Sequence, residues 1–231
     1  MSENRVLPSQ LGVRPSSQLA TQFLTGAFGW MFAGLLLTAG VAAVVQTQPE
    51  LLRSVRGLFF PVLLLQLGIV VGISGLLPRI SATAALGLFF VYAASVGFTV
   101  GFILSLYTLT SVISTFLAAS AMYGAAAVYG ATTQRSLTNL GGFLFMALIG
   151  LIVASIVNIF LGSSPIGWAI ALIGVVIFTI FTAYDVQRIS YGDDAARLGS
   201  VEKASIIGAL HLYLDFINLF LFLLRLMGSR R

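Results

Sequence analysis

Leu210-His211-Leu212-Tyr213-Leu214-Asp215-Phe216-Ile217-Asn218-Leu219-Phe220-Leu221 sets a lone carboxylate inside a run of hydrocarbon side chains. The apolar run around it covers residues 203–227, which meets the roughly 20 residues a helix needs to cross a bilayer. A second run, Ile173-Gly174-Val175-Val176-Ile177-Phe178-Thr179-Ile180-Phe181-Thr182-Ala183-Tyr184-Asp185, ends on another acid. The other carboxylates, Glu3, Glu50, Asp193, Asp194 and Glu202, fall outside the apolar cores of such runs. A charged carboxylate at membrane depth costs a few kcal/mol or more, so it is expected to face a polar interior and to work there. Function is sought around Asp185 and Asp215.

The composition sets the class. Of 231 residues, 58% are hydrophobic and 8% are charged, against about 25% charged in a soluble domain. Mean hydropathy is +1.03. This is an all-α integral membrane protein. Cysteine is absent, which excludes disulfides and thiolate metal sites. One His and seven acids leave no material for a His-rich metal cluster. The net charge of +5 comes from Arg in loops and tails. It reads as topology anchoring near anionic headgroups. No basic stripe with spaced aromatics suggests nucleic acid.

Residues 1–20 are polar and carry Pro8 and Pro15, as expected of a solvated tail. Residues 21–231 form the membrane domain. Its apolar runs predict seven spans, at about 21–45, 58–78, 82–105, 109–131, 140–161, 165–188 and 203–227. Turn-forming clusters separate them, among them Leu77-Pro78-Arg79, Gly162-Ser163-Ser164-Pro165 and Gly192-Asp193-Asp194. An uncleaved first helix fits better than a signal peptide. Small residues at Gly68 and Gly72, Gly97 and Gly101, and Ser120 and Gly124 mark faces for close helix packing.

Seven spans put the termini on opposite sides. With the N-terminus in the cytoplasm, Arg5, Arg14, Arg79, Arg135, Arg188, Arg197 and Lys203 lie inside. Arg53, Arg56, Arg225, Arg230 and Arg231 lie outside. The excess favours that orientation, and the C-terminal Arg cluster opposes it.

Residues three, four and seven apart share a helix face. Around Asp215 the face reads Gly208, His211, Asp215 and Asn218; around Asp185 it reads Thr182, Asp185 and Arg188. Each acid also has a purely structural reading. Asp185 paired with Arg188 or Arg79 would be a lock near the membrane surface. Asp215 would be a protonated acid with one hydrogen bond in the core.

Leu212-Tyr213-Leu214-Asp215-Phe216-Ile217-Asn218-Leu219-Phe220 closely resembles the last-helix motif of the transmembrane Bax inhibitor motif family, the Bax inhibitor/YccA type. Tyr184-Asp185-Val186-Gln187 is similar to the motif of its penultimate helix. The run from Gly141-Gly142 through Val157-Asn158-Ile159-Phe160 resembles its fifth helix. The likeness extends from the first span to the last and points to a bacterial member in the inner membrane. It implies a seven-helix bundle with the last helix central. It also implies a calcium leak gated by pH, with Asp185 and Asp215 as the sensor pair. Arg79 falls where bacterial members carry an arginine that latches to the aspartate of the sixth helix. His211 stands where a small polar residue such as Ser is expected. One turn from Asp215, its imidazole is placed to tune that acid.

Two carboxyls in contact share one proton and titrate as a pair. Ca²⁺ takes about 6–8 oxygen ligands, so Asp185 and Asp215 need help from Asn218, Thr182, backbone carbonyls or water. The expected site is weak and transient, with no tightly bound cofactor. The pair can meet only if the sixth helix continues past Arg188 or the seventh starts outside the membrane.

The partners expected are the bilayer, Ca²⁺ and protons, and no nucleic acid. The alternative function is a membrane interaction protein without ion flux. The resemblance implies this too, since some members restrain a membrane protease or influence cell-death factors. A proton-coupled transporter would share the carboxylates but would need a substrate pocket and paired broken helices. An enzyme is not expected, because no nucleophile–base pair stands among the intramembrane residues.

Overall fold

The structure, a computed structural model, describes residues 16–231, apart from the side chains of Ser17 and Arg56. Most of the polar tail, including Arg5 and Arg14, lies outside the described residues. The helices are α1 (Ser17–Thr47), α2 (Pro49–Leu76), α3 (Ala82–Ser105), α4 (Leu109–Thr132), α5 (Leu140–Leu161), α6 (Ser164–Tyr191), α7 (Asp193–Leu198) and α8 (Val201–Met227). All but α7 are long and apolar enough to span a bilayer, which gives seven spans. Among the described residues the extended pairing is a single bridge between Tyr107 and Arg230.

Local chemistry sets the ends. Ser81, Thr108 and Ser200 cap the starts of α3, α4 and α8, each accepting a hydrogen bond from the backbone N–H three residues on. That satisfies one of the orphan donors of each first turn. α6 stops at Gly192, whose φ of 73° is a left-handed value that favours glycine. The sixth run was expected to end at 188. Apolar content fades there, but no backbone breaker arrives before Gly192, so the helix continues through Arg188 and Ser190. α1 begins at Ser17, within the stretch 1–20 expected as a tail.

α8 carries the core. In its most apolar 18 residues 72% are buried, against 11–44% in the other spans. It packs on α1, α3, α4, α6 and α7. Tyr213 is fully buried there. Its hydroxyl lies 2.6 Å from Thr38 Oγ1 on α1, which in turn donates to the Ala93 carbonyl of α3. Three helices are tied through one buried chain of hydroxyls.

The small-residue faces behave differently from one another. At Gly97 and Gly101 an added Cβ would fall 2.9 Å from the backbone oxygens of Thr38 and Ala42. This face is the crossing of α1 over α3, where only glycine lets the backbones meet. Gly68, Gly72 and Gly124 have no neighbour within 4 Å of that position among the described residues. Those two faces are not helix crossings here.

Candidate functional site

Asp185 on α6 and Asp215 on α8 come together. Their carboxyls face one another at hydrogen-bonding range across the α6–α8 interface. They are 5% and 4% exposed. The continuation of α6 to Tyr191 removes the depth mismatch that the shorter span implied. Two carboxyls have no donor between them unless one carries a proton. Oδ2 of Asp215 is buried and receives no hydrogen bond among the described residues.

Arg188 is the cation of the site. Its Nη2 lies 3.2 Å from Asp185 Oδ1 and 3.4 Å from Asp194 Oδ2. The same nitrogen meets Nδ1 of His211. Guanidinium is only a donor, so Nδ1 is the acceptor and the ring hydrogen sits on Nε2. Arg188 also lies over the Tyr184 ring, 5.9 Å from its centroid. Asp194 belongs to α7, a six-residue helix that begins inside the turn-forming cluster Gly192-Asp193-Asp194. α7 folds back on α8 and brings two buried acids, Asp193 and Asp194, to this end of the bundle.

Two expected contacts are replaced. Arg79 does not latch Asp185 in this structure. It is exposed in the turn after α2, and α2 packs on α1 and α3 rather than on α6. Arg188, one turn from Asp185 on the same helix, takes its place. His211 was placed as a neighbour of Asp215, and its hydrogen-bond partner is Arg188. The other accessory candidates turn inward on their own helices. Thr182 Oγ1 donates to the Phe178 carbonyl at 2.8 Å, and Asn218 Nδ2 donates to the Leu214 carbonyl at 2.8 Å. The Asn218 amide oxygen accepts no hydrogen bond among the described residues.

The acids open onto a cavity of about 360 Å³ lined by Asp185, His211, Asp215 and Asn218. Gln66 of α2 and Tyr92 of α3 form further polar wall. Leu67 of α2 and Ile152 of α5 line it too, and both are exposed on the outside of the bundle. The mouth therefore lies between α2 and α5. Among the described residues no three of His, Cys, Asp and Glu converge as a metal-holding group.

Gln187 is a residue whose role periodicity does not reveal. It is 3% exposed. Its Oε1 accepts from Leu137 N at 2.7 Å and its Nε2 donates to the Arg135 carbonyl at 2.9 Å. It pins the α4–α5 connection to α6, two residues from Asp185. The available signal was an amide in the Tyr-Asp-x-Gln motif at the end of an apolar run.

The comparisons with known proteins cover nearly the whole chain. Residues 20–231 match the family described as Inhibitor of apoptosis-promoting Bax1. The inner membrane protein YbhL of Escherichia coli K12 is 43% identical over 225 residues, 95% of this chain and 96% of that one. An uncharacterized protein of Borreliella burgdorferi is 42% identical over 92% of this chain and 94% of its own. The YrjE protein of Lactococcus lactis is 37% identical over 99% of this chain and 97% of its own. With seven membrane-spanning helices and a match over residues 20–231, the chain is an integral membrane protein of the Bax inhibitor-1 family.

Proposed function

We propose that this protein is a pH-sensitive calcium leak channel whose gate is the Asp185–Asp215 pair. The observation that carries the reading is the contact of two buried carboxyls beside a cavity inside the bundle. One shared proton joins α6 to α8. Its loss leaves two anions in contact, and like charges at that range repel. Arg188 neutralises one of them. The other calls for a cation.

Calcium is the cargo in this reading. It is a hard ion that accepts carboxylate, amide and water oxygens, about 6–8 in all. Asp185, Asp215 and the Asn218 amide oxygen supply part of that shell, and water supplies the rest. The site is then weak enough to release the ion. Protons and calcium compete for the same oxygens, so apparent calcium affinity falls as pH falls.

The inner membrane is the proposed location, in line with the name of the Escherichia coli relative. The N-terminus is placed in the cytoplasm from the distribution of Arg and Lys. That puts Arg188, α7 and the α4–α5 connection on the cytoplasmic side.

The experiment is calcium uptake into liposomes that contain this protein alone. Uptake above that of empty liposomes, and dependent on pH, supports the channel. No uptake at any pH from 5 to 8 rejects it and leaves a membrane interaction protein as the reading.

A further inference from the structure

The cavity beside the carboxyl pair has two features that an ion path alone does not use. Its mouth is lateral. Leu67 and Ile152 stand near the middle of the spans Gly57–Leu76 and Leu140–Leu161, and both are exposed on the outer surface of the bundle. The opening between α2 and α5 thus meets hydrocarbon, not water. A hydrated ion pays heavily to arrive that way. Its wall is also mixed. Leu148, Phe178 and Phe181 form an apolar side, and Asp185 and Asp215 close the inner end.

Asp215 has no ion pair of its own among the described residues. Asp185 and Asp194 both pair with the Arg188 guanidinium, and Asp215 faces Asp185 from α8. His211 accepts from Arg188 and adds no positive charge. Tyr92 and Gln66, which face the cavity from α3 and α2, add none either. Oδ2 of Asp215 is buried with no hydrogen bond. A ligand that fits has a hydrocarbon body and a single cationic donor. At about 360 Å³ the space lies at the small end of ligand pockets, which run from about 300 to 1,000 Å³.

We propose that this cavity is a binding site for an amphipathic monoamine that enters from the bilayer between α2 and α5, with its ammonium held by Asp215 and Asp185. The amine crosses hydrocarbon in its neutral form. Its nitrogen lone pair takes the proton shared by the two carboxyls: one N–H bond forms and one O–H bond breaks. The product is an ammonium between two carboxylates, with total charge unchanged. The alkyl body lies against Phe178, Phe181 and Leu148. The inference shares the carboxyl pair with the leak reading, but it is read by binding and not by flux, so either can fail without the other.

The test is equilibrium dialysis of radiolabelled N,N-dimethyloctylamine against the full-length protein in lipid nanodiscs, with empty nanodiscs as the blank. The expected result is one saturable site per chain above the blank. The neutral N,N-dimethyloctanamide should compete at least tenfold more weakly. Asp215→Asn should weaken binding at least tenfold. Leu67→Trp, which narrows the mouth and leaves the acids intact, should do the same and decides the matter if the Asn variant does not fold. Partitioning no greater than in empty nanodiscs, equal competition by the amide, or wild-type affinity in either folded variant overturns the proposal.

Discussion

Arg188 stands one turn beyond Asp185 on α6 and closes a 3.2 Å ion pair with it, while Asp215 of α8 meets the Asp185 carboxyl from across the helix interface. Asp185 therefore has two partners of opposite kind. The guanidinium favours its charge, and the second carboxyl opposes having both charged. A proton gained or lost by the pair is felt directly at the α6–α8 interface. The Asp194 carboxylate on α7 takes the same guanidinium nitrogen at 3.4 Å, so the short helix is tied to the same group.

Arg188→Ala should be strongly destabilising. It strips the cation from two buried carboxylates, and breaking a buried pair from one side costs on the order of 3–5 kcal/mol. A denaturant or thermal unfolding series in detergent reads this. Arg79→Ala is the contrast. Arg79 is exposed in a turn and makes no ion pair among the described residues, so both stability and calcium leak should match wild type. A raised leak in Arg79→Ala, with the fold intact, would show that Arg79 reaches the gate in another conformation.

Gln187→Leu should loosen the α4–α5 connection. The substitution removes the acceptor of Leu137 N and the donor to the Arg135 carbonyl. A buried polar group left unpaired costs about 1–3 kcal/mol. Hydrogen exchange should accelerate at Leu137 before it does in α8. Unchanged protection at Leu137 would mean that water or a neighbouring group replaces the amide.

Gly101→Val should separate α1 from α3. A Cβ there would sit 2.9 Å from the Ala42 carbonyl oxygen, and overpacking of this kind costs about 1–3 kcal/mol. Gly124→Ala should be near neutral, since nothing lies within 4 Å of the added carbon. Equal melting temperatures for the two variants would contradict the close α1–α3 crossing.

Hydrophobic runs revealed the seven spans because bilayer thickness sets a length that few other features imitate. The polar faces of the last two spans were legible for a similar reason. Helical periodicity puts His211, Asp215 and Asn218 on one side whatever the neighbours do. Contacts between helices were harder to read. Helical spacing already set Arg188 on the face of Asp185, and the position of α2 away from α6 removes Arg79 as its rival. His211 lies one turn from Asp215 on α8, but its hydrogen-bond partner comes from α6, where the Arg188 guanidinium donates to Nδ1. α7 escaped notice because six residues between two glycines carry too little periodicity to mark a helix. Its acids are buried by folding onto α8, which no local pattern records.

The most direct measurement is calcium uptake by purified protein in liposomes across pH 5–8, with wild type compared with Asp215→Asn. Asn keeps the shape of the side chain and removes its titration. Wild-type flux should vary with pH, and Asp215→Asn should lower the flux and flatten that dependence while the protein remains folded. The same pH-dependent uptake in the folded Asp215→Asn protein as in wild type would contradict the carboxyl pair as the gate.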